Sequence, residues 1–397
     1  MPGVIGVVGA GTMGAGIAQL AVEAGHRVLL HDVDAAAIER GRARIRAGLE
    51  RRAGRLDLDP ESAEAWVIGR LRLLHDAPTQ DDVADGPELI IEAALEDLEA
   101  KCAIFRALDR AVSPTTLLAT NTSALSVADI AAATSRPGRV LGLHFFNPAP
   151  VMPLVEVVAA PHTDPSSVER AVEIVEGWGK VPVRCADTPG FIVNRVNRPF
   201  TLEALALLEA GRGSVITIDA AMRAGGFPMG PFELMDLIGI DINLAAAFGV
   251  YERTRTAGDP LAERFRPSTV QERLVADGRL GRKTGEGFYA YGPDGRALGP
   301  AAEFVSMDGT PAASLATDHA ERITLAIVNE AYRALGDAVA TAADIDLAMR
   351  LGAGHPNGPF ERAAAIGGSA PVLAGLRRYA DDGPRFDPAL ILIRSRR

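Results

Sequence analysis

A β-branched run, Val4 to Val8, passes directly into Gly9-Ala10-Gly11-Thr12-Met13-Gly14 and then into an apolar helical pattern that Gly25 ends. Few folds accept this order. The run lacks polar alternation, so it reads as a strand buried on both faces, as in a parallel sheet. Each glycine then has its own task. Gly9 allows the tight turn, Gly11 lets another group approach the backbone, and Gly14 lets the helix pack close to the strand. Thr12 and Met13 open the helix, whose N-terminus presents unpaired N–H groups and a positive dipole end. Arg27 to His31 reads as a second strand, which completes a βαβ unit.

In that setting the glycine pattern is a dinucleotide fingerprint. Asp32 ends the second strand, 18 residues past Gly14. A carboxylate there accepts hydrogen bonds from both ribose hydroxyls and repels a 2′-phosphate, so the expected cofactor is NAD rather than NADP. The next segment, Asp34 to about Leu74, is helical in pattern and rich in arginine. Asp59-Pro60 divides it, which predicts an inserted helical hairpin. Strands are predicted at Glu88–Ala93, Leu117–Thr120 and Val140–Leu143, with helices between them. This alternation predicts an α/β fold with a Rossmann-type doubly wound sheet.

After Val183 the pattern turns helical, with a boundary near Asp187-Thr188-Pro189-Gly190. Phe191 to Glu209 reads as one long helix. A second boundary falls near Tyr291–Gly295, followed by an Ala/Gly/Pro-rich linker. Beyond it comes a repeat. Glu203-Ala204, Asp219, Ala221-Met222-Arg223 and Gly225 recur 127 residues later as Glu330-Ala331, Asp346, Ala348-Met349-Arg350 and Gly352. Gly230-Pro231-Phe232-Glu233 recurs as Gly358-Pro359-Phe360-Glu361. The expected organisation is a nucleotide domain over 1–187, an all-α domain over 188–291, a linker over 292–316 and a partial second copy of the all-α domain over 317–397.

Composition removes several classes of function. A net charge of −10 disfavours a nucleic acid partner, which needs a basic face. Two cysteines cannot make a disulfide framework, and they fit a reducing compartment. The apolar stretch from Val140 to Val158 is broken by His144, Asn147, three prolines and Glu156, so no membrane span is expected. A strand beginning almost at residue 1 leaves no room for a signal peptide, and a cytoplasmic enzyme is expected.

None of the five tyrosines is followed four residues later by lysine, which excludes a Tyr–Lys acid/base pair. Two cysteines and scattered histidines do not make a catalytic zinc site. What remains is Asn121-Thr122-Ser123, Gly142-Leu143-His144-Phe145-Phe146-Asn147-Pro148, Leu154-Val155-Glu156-Val157 and Pro189-Gly190-Phe191-Ile192-Val193-Asn194-Arg195. At these residues, in this order, the chain closely resembles the 3-hydroxyacyl-CoA dehydrogenase family. The resemblance runs from residue 1 to about 290 and again over the repeat.

The chemistry of the residues agrees with it. His144 follows a predicted strand, where ligands sit in open α/β sheets. Neutral imidazole can take a hydroxyl proton while hydride leaves the same carbon. Glu156, polar inside an apolar strand, can fix the imidazole tautomer and stabilise the imidazolium. The resemblance implies that Ser123 and Asn194 hold the substrate oxygen. It also implies that Glu96, Lys101, Asn147 and Lys283 touch the cofactor; a solvated helix face and loop is the alternative for these charges. In the family the inserted hairpin binds CoA through Ser and Lys residues. This chain offers Arg51, Arg52 and Arg55 instead, and an exposed basic helix face explains those equally well.

The implied activity is NAD-dependent oxidation of the 3-hydroxyl of a (3S)-3-hydroxyacyl-CoA thioester. Its short substrate would be of the 3-hydroxybutyryl-CoA or 3-hydroxyadipyl-CoA type. A sugar-acid dehydrogenase acting on L-gulonate and a non-catalytic NAD-binding structural protein are the alternatives. The second copy carries Glu321 where the first has Asn194, although Arg322 matches Arg195. A structural role is therefore expected for it. Single-copy relatives dimerise through the helical domain, so the tandem copy predicts a pseudo-dimer within one chain, with a homodimer as the other possibility. His355 falls where the first copy has Phe227, and packing is its expected task.

Overall fold

The computed structural model describes residues 3–52, 65, 67–74, 86–305 and 313–394. The chain forms two compact units, residues 1–188 and 189–397. In the first unit the elements are β1 (Val4–Val8), α1 (Thr12–Glu23), β2 (Arg27–His31), α2 (Ala35–Arg52), β3 (Leu71–Leu74), β4 (Leu89–Glu92), α3 (Leu98–Ala111), β5 (Leu117–Thr120), α4 (Val127–Ala131), β6 (Val140–Phe145), β7 (Leu154–Ala159), α5 (Pro165–Gly177) and β8 (Val181–Ala186). The strands form one sheet in the order β3-β2-β1-β4-β5-β6-β7-β8. Every neighbouring pair is parallel except β6 and β7, which are antiparallel.

Successive strand residues feed opposite faces, as the period of two requires. Ile5, Val7, Leu30, Ile91 and Ala119 pack under α1, α2 and α5. Val4, Val8, Leu29, Ile90 and Leu118 pack against Phe105 and Leu108 of α3 and Ile130 of α4. Both faces are therefore dry, which is why the strands read as unbroken apolar runs. The expected Rossmann-type sheet is present, with several corrections. Leu71–Leu74, read as helical, is a strand paired with β2. Alternating Leu and Arg at a sheet edge gives too short a signal to separate from a helix. The sixth strand runs on to Phe145 and so includes His144, and β8 had no sequence signal of its own. The predicted break at Asp59-Pro60 lies outside the described residues.

The second unit contains α6 (Val193–Val196), α7 (Arg198–Glu209), α8 (Val215–Ala224), α9 (Pro231–Ile238), α10 (Ile240–Thr256), α11 (Thr269–Ala276), a hairpin of β9 (Tyr289–Tyr291) and β10 (Ala297–Pro300), α12 (Ala302–Val305), α13 (Ala313–Gly336), α14 (Ala342–Ala353), α15 (Pro359–Ala365), α16 (Ser369–Arg378) and α17 (Leu390–Arg394). Segments 188–291 and 317–397 thus lie in one compact unit, and the stretch read as a linker holds β10 and α12. The helix expected over Phe191–Glu209 is two helices that meet at Asn197. Pro199 has no N–H to donate, and it disfavours the α conformation at the residue before it. Ala326 occupies the matching place in the second copy, and there α13 runs unbroken.

The repeated residues are a repeated cap. Asp219, on α8, accepts hydrogen bonds from the Phe232 and Glu233 amides at 3.0 and 3.1 Å. Asp346, on α14, accepts from the Phe360 and Glu361 amides at 2.8 and 3.1 Å. Glu233 and Glu361 each accept from the amide three residues back, Gly230 and Gly358, at 2.8 Å. A Cβ on either glycine would lie 2.2 Å from the capping aspartate, so only glycine fits. Both copies therefore keep Asp, Gly-Pro-Phe-Glu and an Arg that pairs the Glu.

Burial pushes the Asp219 carboxyl up to about 7, against the Phe232 and Tyr289 hydrogen bonds that favour its anion. The folded chain thus keeps a proton that the unfolded chain releases near pH 4. The stabilising contribution of this group is complete below that value and is lost as pH rises towards 7. Asp219→Asn should remove up to one proton of slope, about 1.4 kcal/mol per pH unit, from the stability curve between pH 4 and 7. Urea denaturation at a series of pH values measures it. An unaltered slope would mean that this carboxyl ionises freely.

Candidate active site

The cofactor cleft is built where β1, β2 and β4 end. Val8, Gly9, Gly11, Asp32, Ala93 and Leu95 line a cavity of about 590 Å³. Gly9 has φ of +102°, and a Cβ on it would come within 2.6 Å of the Ala93 carbonyl. A Cβ on Gly14 would sit 1.8 Å from the Gly9 carbonyl, so the helix can pack this closely only on glycine. Gly11 differs from both, because a Cβ there would meet nothing within 4 Å. No side chain caps the start of α1. The amides of Thr12 and Met13 thus begin a helix with open space in front of it, the arrangement a pyrophosphate needs. Asp32 is fixed at the cleft edge, its two carboxylate oxygens accepting from the Ala10 amide at 2.7 Å and the Asp34 amide at 3.0 Å.

A buried carboxylate network forms the floor beside the cleft. Glu92 ends β4 and is fully buried. It accepts from the Ala94 amide at 2.7 Å, the Thr120 hydroxyl at 2.7 Å and the Lys101 ammonium at 2.6 Å. Lys101, itself 1 % exposed, lies 3.4 Å from Glu96 on its other side. Glu96 in turn accepts from the Thr122 hydroxyl at 2.6 Å and the Ser123 amide at 3.0 Å. The loop carrying Ser123 is therefore held by charge-assisted hydrogen bonds. Glu92 was not singled out from the sequence. Its signal was a lone carboxylate closing an apolar strand, a residue that cannot be buried without partners.

The antiparallel pairing of β6 and β7 sets His144 directly opposite Glu156. The imidazole Nδ1 lies 2.6 Å from Glu156 Oε2. Glu156 is fully buried and His144 is 6 % exposed. With a carboxylate on that side, Nδ1 carries the hydrogen and donates it, and Nε2 is left as the basic nitrogen. The Phe146 ring sits 4.6 Å from the imidazole, centroid to centroid. Asn121 accepts from the Phe145 amide at 2.9 Å, which ties the end of β5 to the strand that carries His144. Asn147 is exposed, at a cis peptide bond to Pro148.

The other expected site residues are distributed differently. Asn194 lies on α6 and Lys283 beyond α11, both in the second unit. The Lys283 ammonium is paired with Asp241 at 2.6 Å. Arg51 is exposed at the end of α2. Arg52 is a correction: it pairs with Glu23 at 3.2 Å and donates to the Pro150 carbonyl, so it fastens α2 to the sheet domain. Arg55 lies outside the described residues. Among those residues, no group of His, Cys, Asp and Glu could hold a metal ion. No single described helix is long and apolar enough to cross a membrane.

A glycine cradle under an uncapped helix, a fixed ribose-side carboxylate and a carboxylate-oriented imidazole define a dehydrogenase that uses a nicotinamide dinucleotide. Comparison with known proteins narrows the class. Residues 4–188 match the family model described as 3-hydroxyacyl-CoA dehydrogenase, NAD binding domain. Residues 190–291 and 319–389 match that of the 3-hydroxyacyl-CoA dehydrogenase C-terminal domain. The chain belongs to the 3-hydroxyacyl-CoA dehydrogenase family, and its cofactor is NAD. It is 39 % identical to the 3-hydroxyadipyl-CoA dehydrogenase of Escherichia coli, over 91 % of this chain and 90 % of that one. It is 42 % identical to the mitochondrial hydroxyacyl-coenzyme A dehydrogenase of Rattus norvegicus, over 72 % of this chain and 90 % of that one. The crystal structure of 3-hydroxybutyryl-CoA dehydrogenase from Escherichia coli superposes with a TM-score of 0.85 at 36 % identity, covering 100 % of this chain and 98 % of that one.

Gly11→Val should separate cofactor binding from folding. The side chain has room in the free protein, so stability should change by about 1 kcal/mol or less. It would occupy the space a pyrophosphate needs, and NADH affinity should fall about tenfold or more. Fluorescence titration of NADH reads the effect. Unaltered affinity would show that the dinucleotide does not lie over this turn.

Proposed function

We propose that this chain oxidises the 3-hydroxyl of a (3S)-3-hydroxyacyl-CoA to the ketone, and reduces it in reverse, with His144 as the general base. The observation that carries the reading is the 2.6 Å contact between His144 Nδ1 and Glu156, both buried. NAD, when bound, accepts the hydride from the carbinol carbon. Nε2 of His144 takes the hydroxyl proton, and Glu156 stabilises the imidazolium that results. Ser123 and Asn194 orient the substrate oxygen. In the reverse direction the imidazolium returns its proton to that oxygen. The expected cofactor contacts are Gly9, Gly11, Thr12, Met13, Gly14 and Asp32 along the cleft, with Glu96, Lys101, Asn147 and Lys283. For Lys101, its burial between Glu92 and Glu96 favours an action through Glu96. Arg51 remains the candidate for CoA phosphate.

A short acyl chain is favoured because relatives at about 40 % identity carry the names 3-hydroxyadipyl-CoA and 3-hydroxybutyryl-CoA dehydrogenase. The free thiols Cys102 and Cys185 fit a reducing, cytoplasmic setting. His144→Gln should lower turnover of acetoacetyl-CoA with NADH by about 10²- to 10⁴-fold and leave the Kd for NADH unchanged. Unchanged turnover would refute the base. Faster turnover of a gulonate-type acid than of any acyl-CoA would favour the sugar-acid alternative.

The reading extends to assembly, as a pseudo-dimer within one chain. Its support is reciprocal contact between the two copies. Arg195 of the first copy pairs with Glu330 of the second at 2.7 Å, and Arg322 of the second pairs with Glu203 of the first. A homologous surface meeting itself in this way is what a two-fold interface does. Sedimentation equilibrium at micromolar concentration should return a mass of 41.7 kDa. A stable species of twice that mass would favour the homodimer.

A further inference from the structure

Helix α6 spans only Val193–Val196, and one turn cannot hold its own position by helix propensity. Phe191, just before it, is fully buried at φ +49°, a conformation that persists only where the surroundings enforce it. Asn194 stands half-buried on this turn, next to Arg195 and three residues from Asn197. Both neighbours are held by the second copy. The Arg195 guanidinium is 5 % exposed; it donates to Glu330 at 2.7 Å and to Asp337 at 2.5 Å. Glu330 is held from its other side by Arg264 at 2.8 Å. His355 Nε2 lies 2.8 Å from the Asn197 Oδ1 and donates to it. Burial, with Arg362 nearby, keeps His355 well below the usual imidazole range, so the ring is neutral and the contact is a plain hydrogen bond.

The geometry points to a positioning role for Glu330 and His355 of the second copy, which fix the turn that carries Asn194. The inference rests on the reading of Asn194 as a substrate-orienting residue. The molecule contains its own control. Glu203 of the first copy is fully buried and is held between Arg322 and Arg385, as Glu330 is between Arg195 and Arg264. The residue beside Arg322 is Glu321, where the first copy has Asn194. The two arginine–glutamate–arginine clusters are therefore similar in burial and charge, and only one adjoins the proposed active-site turn. Removing either carboxylate strands two buried guanidinium groups and should destabilise the fold to a comparable degree.

The test uses the full chain, with acetoacetyl-CoA and NADH as substrates. Glu330→Gln and Glu203→Gln should lower Tm alike. Glu330→Gln should also lower kcat/KM about tenfold or more, with the NADH Kd unchanged, since small misplacement of an orienting group is costly. Glu203→Gln should stay within about twofold of the parent. His355→Phe breaks the Asn197 contact without stranding a charge, so it serves if Glu330→Gln does not fold; it should lower kcat/KM severalfold. Asn194→Ala should lower kcat/KM by at least as much as either. Equal activities for Glu330→Gln and Glu203→Gln, or an unimpaired His355→Phe, with Asn194→Ala impaired, would overturn the positioning role alone. Unimpaired turnover in Asn194→Ala would remove the reading beneath it and the inference together.

Discussion

One change of strand direction organises the chemistry of this protein. Six strands of the sheet run the same way, and β7 then runs against β6. Antiparallel neighbours place residues directly opposite each other, with side chains on the same face. His144 and Glu156, 12 residues apart, become such a pair. A parallel neighbour would need a crossover connection and would not return the chain so soon. The charged partner of the imidazole thus comes from a short turn. Because the two strands are flanked by apolar residues, the carboxylate has little choice but to face the ring.

Around that pair, polar groups are buried only where each has a partner. Glu92 takes three donors at the end of β4, and Glu96 takes a hydroxyl and amides from the loop after β5. Lys101 links the two. An unpaired charge at these depths would cost several kcal/mol, so the network rigidifies the rim of the sheet where it meets the cofactor cleft. The glycine turn supplies the opposite property. At Gly11 the protein keeps space empty, and at Gly9 and Gly14 it has no room for a side chain.

Much of this was legible in the sequence because its causes are local. The glycine turn, the strand before it and the acidic residue after β2 are fixed by backbone sterics and hydrogen bonding over about thirty residues. The repeat was legible because Asp219 and Asp346 serve the same cap, which demands Gly-Pro-Phe-Glu at one distance from them. What escaped notice depends on distant partners. The edge strand Leu71–Leu74 exists because β2 is beside it, and its own residues fit a helix as well. Arg52 looked like a phosphate ligand until Glu23 and the Pro150 carbonyl were seen next to it. The break at Asn197 was hidden by an unbroken apolar pattern, although Pro199 was the visible cause. Glu330 and His355 show no chemistry of their own, since what each does is decided by a residue more than a hundred positions away.

The meeting of Phe227 with His355 has a further consequence. Their rings are 4.9 Å apart, edge to face, and they occupy matching places in the two copies. In an assembly of identical subunits, a residue at the axis meets itself, and any change there arrives in duplicate. Covalent linkage lifts that constraint. An aromatic can face an imidazole, one half can keep a reactive asparagine while the other drops it, and dilution cannot separate them. The fused arrangement gives each half freedom to specialise while its fit to the other is retained.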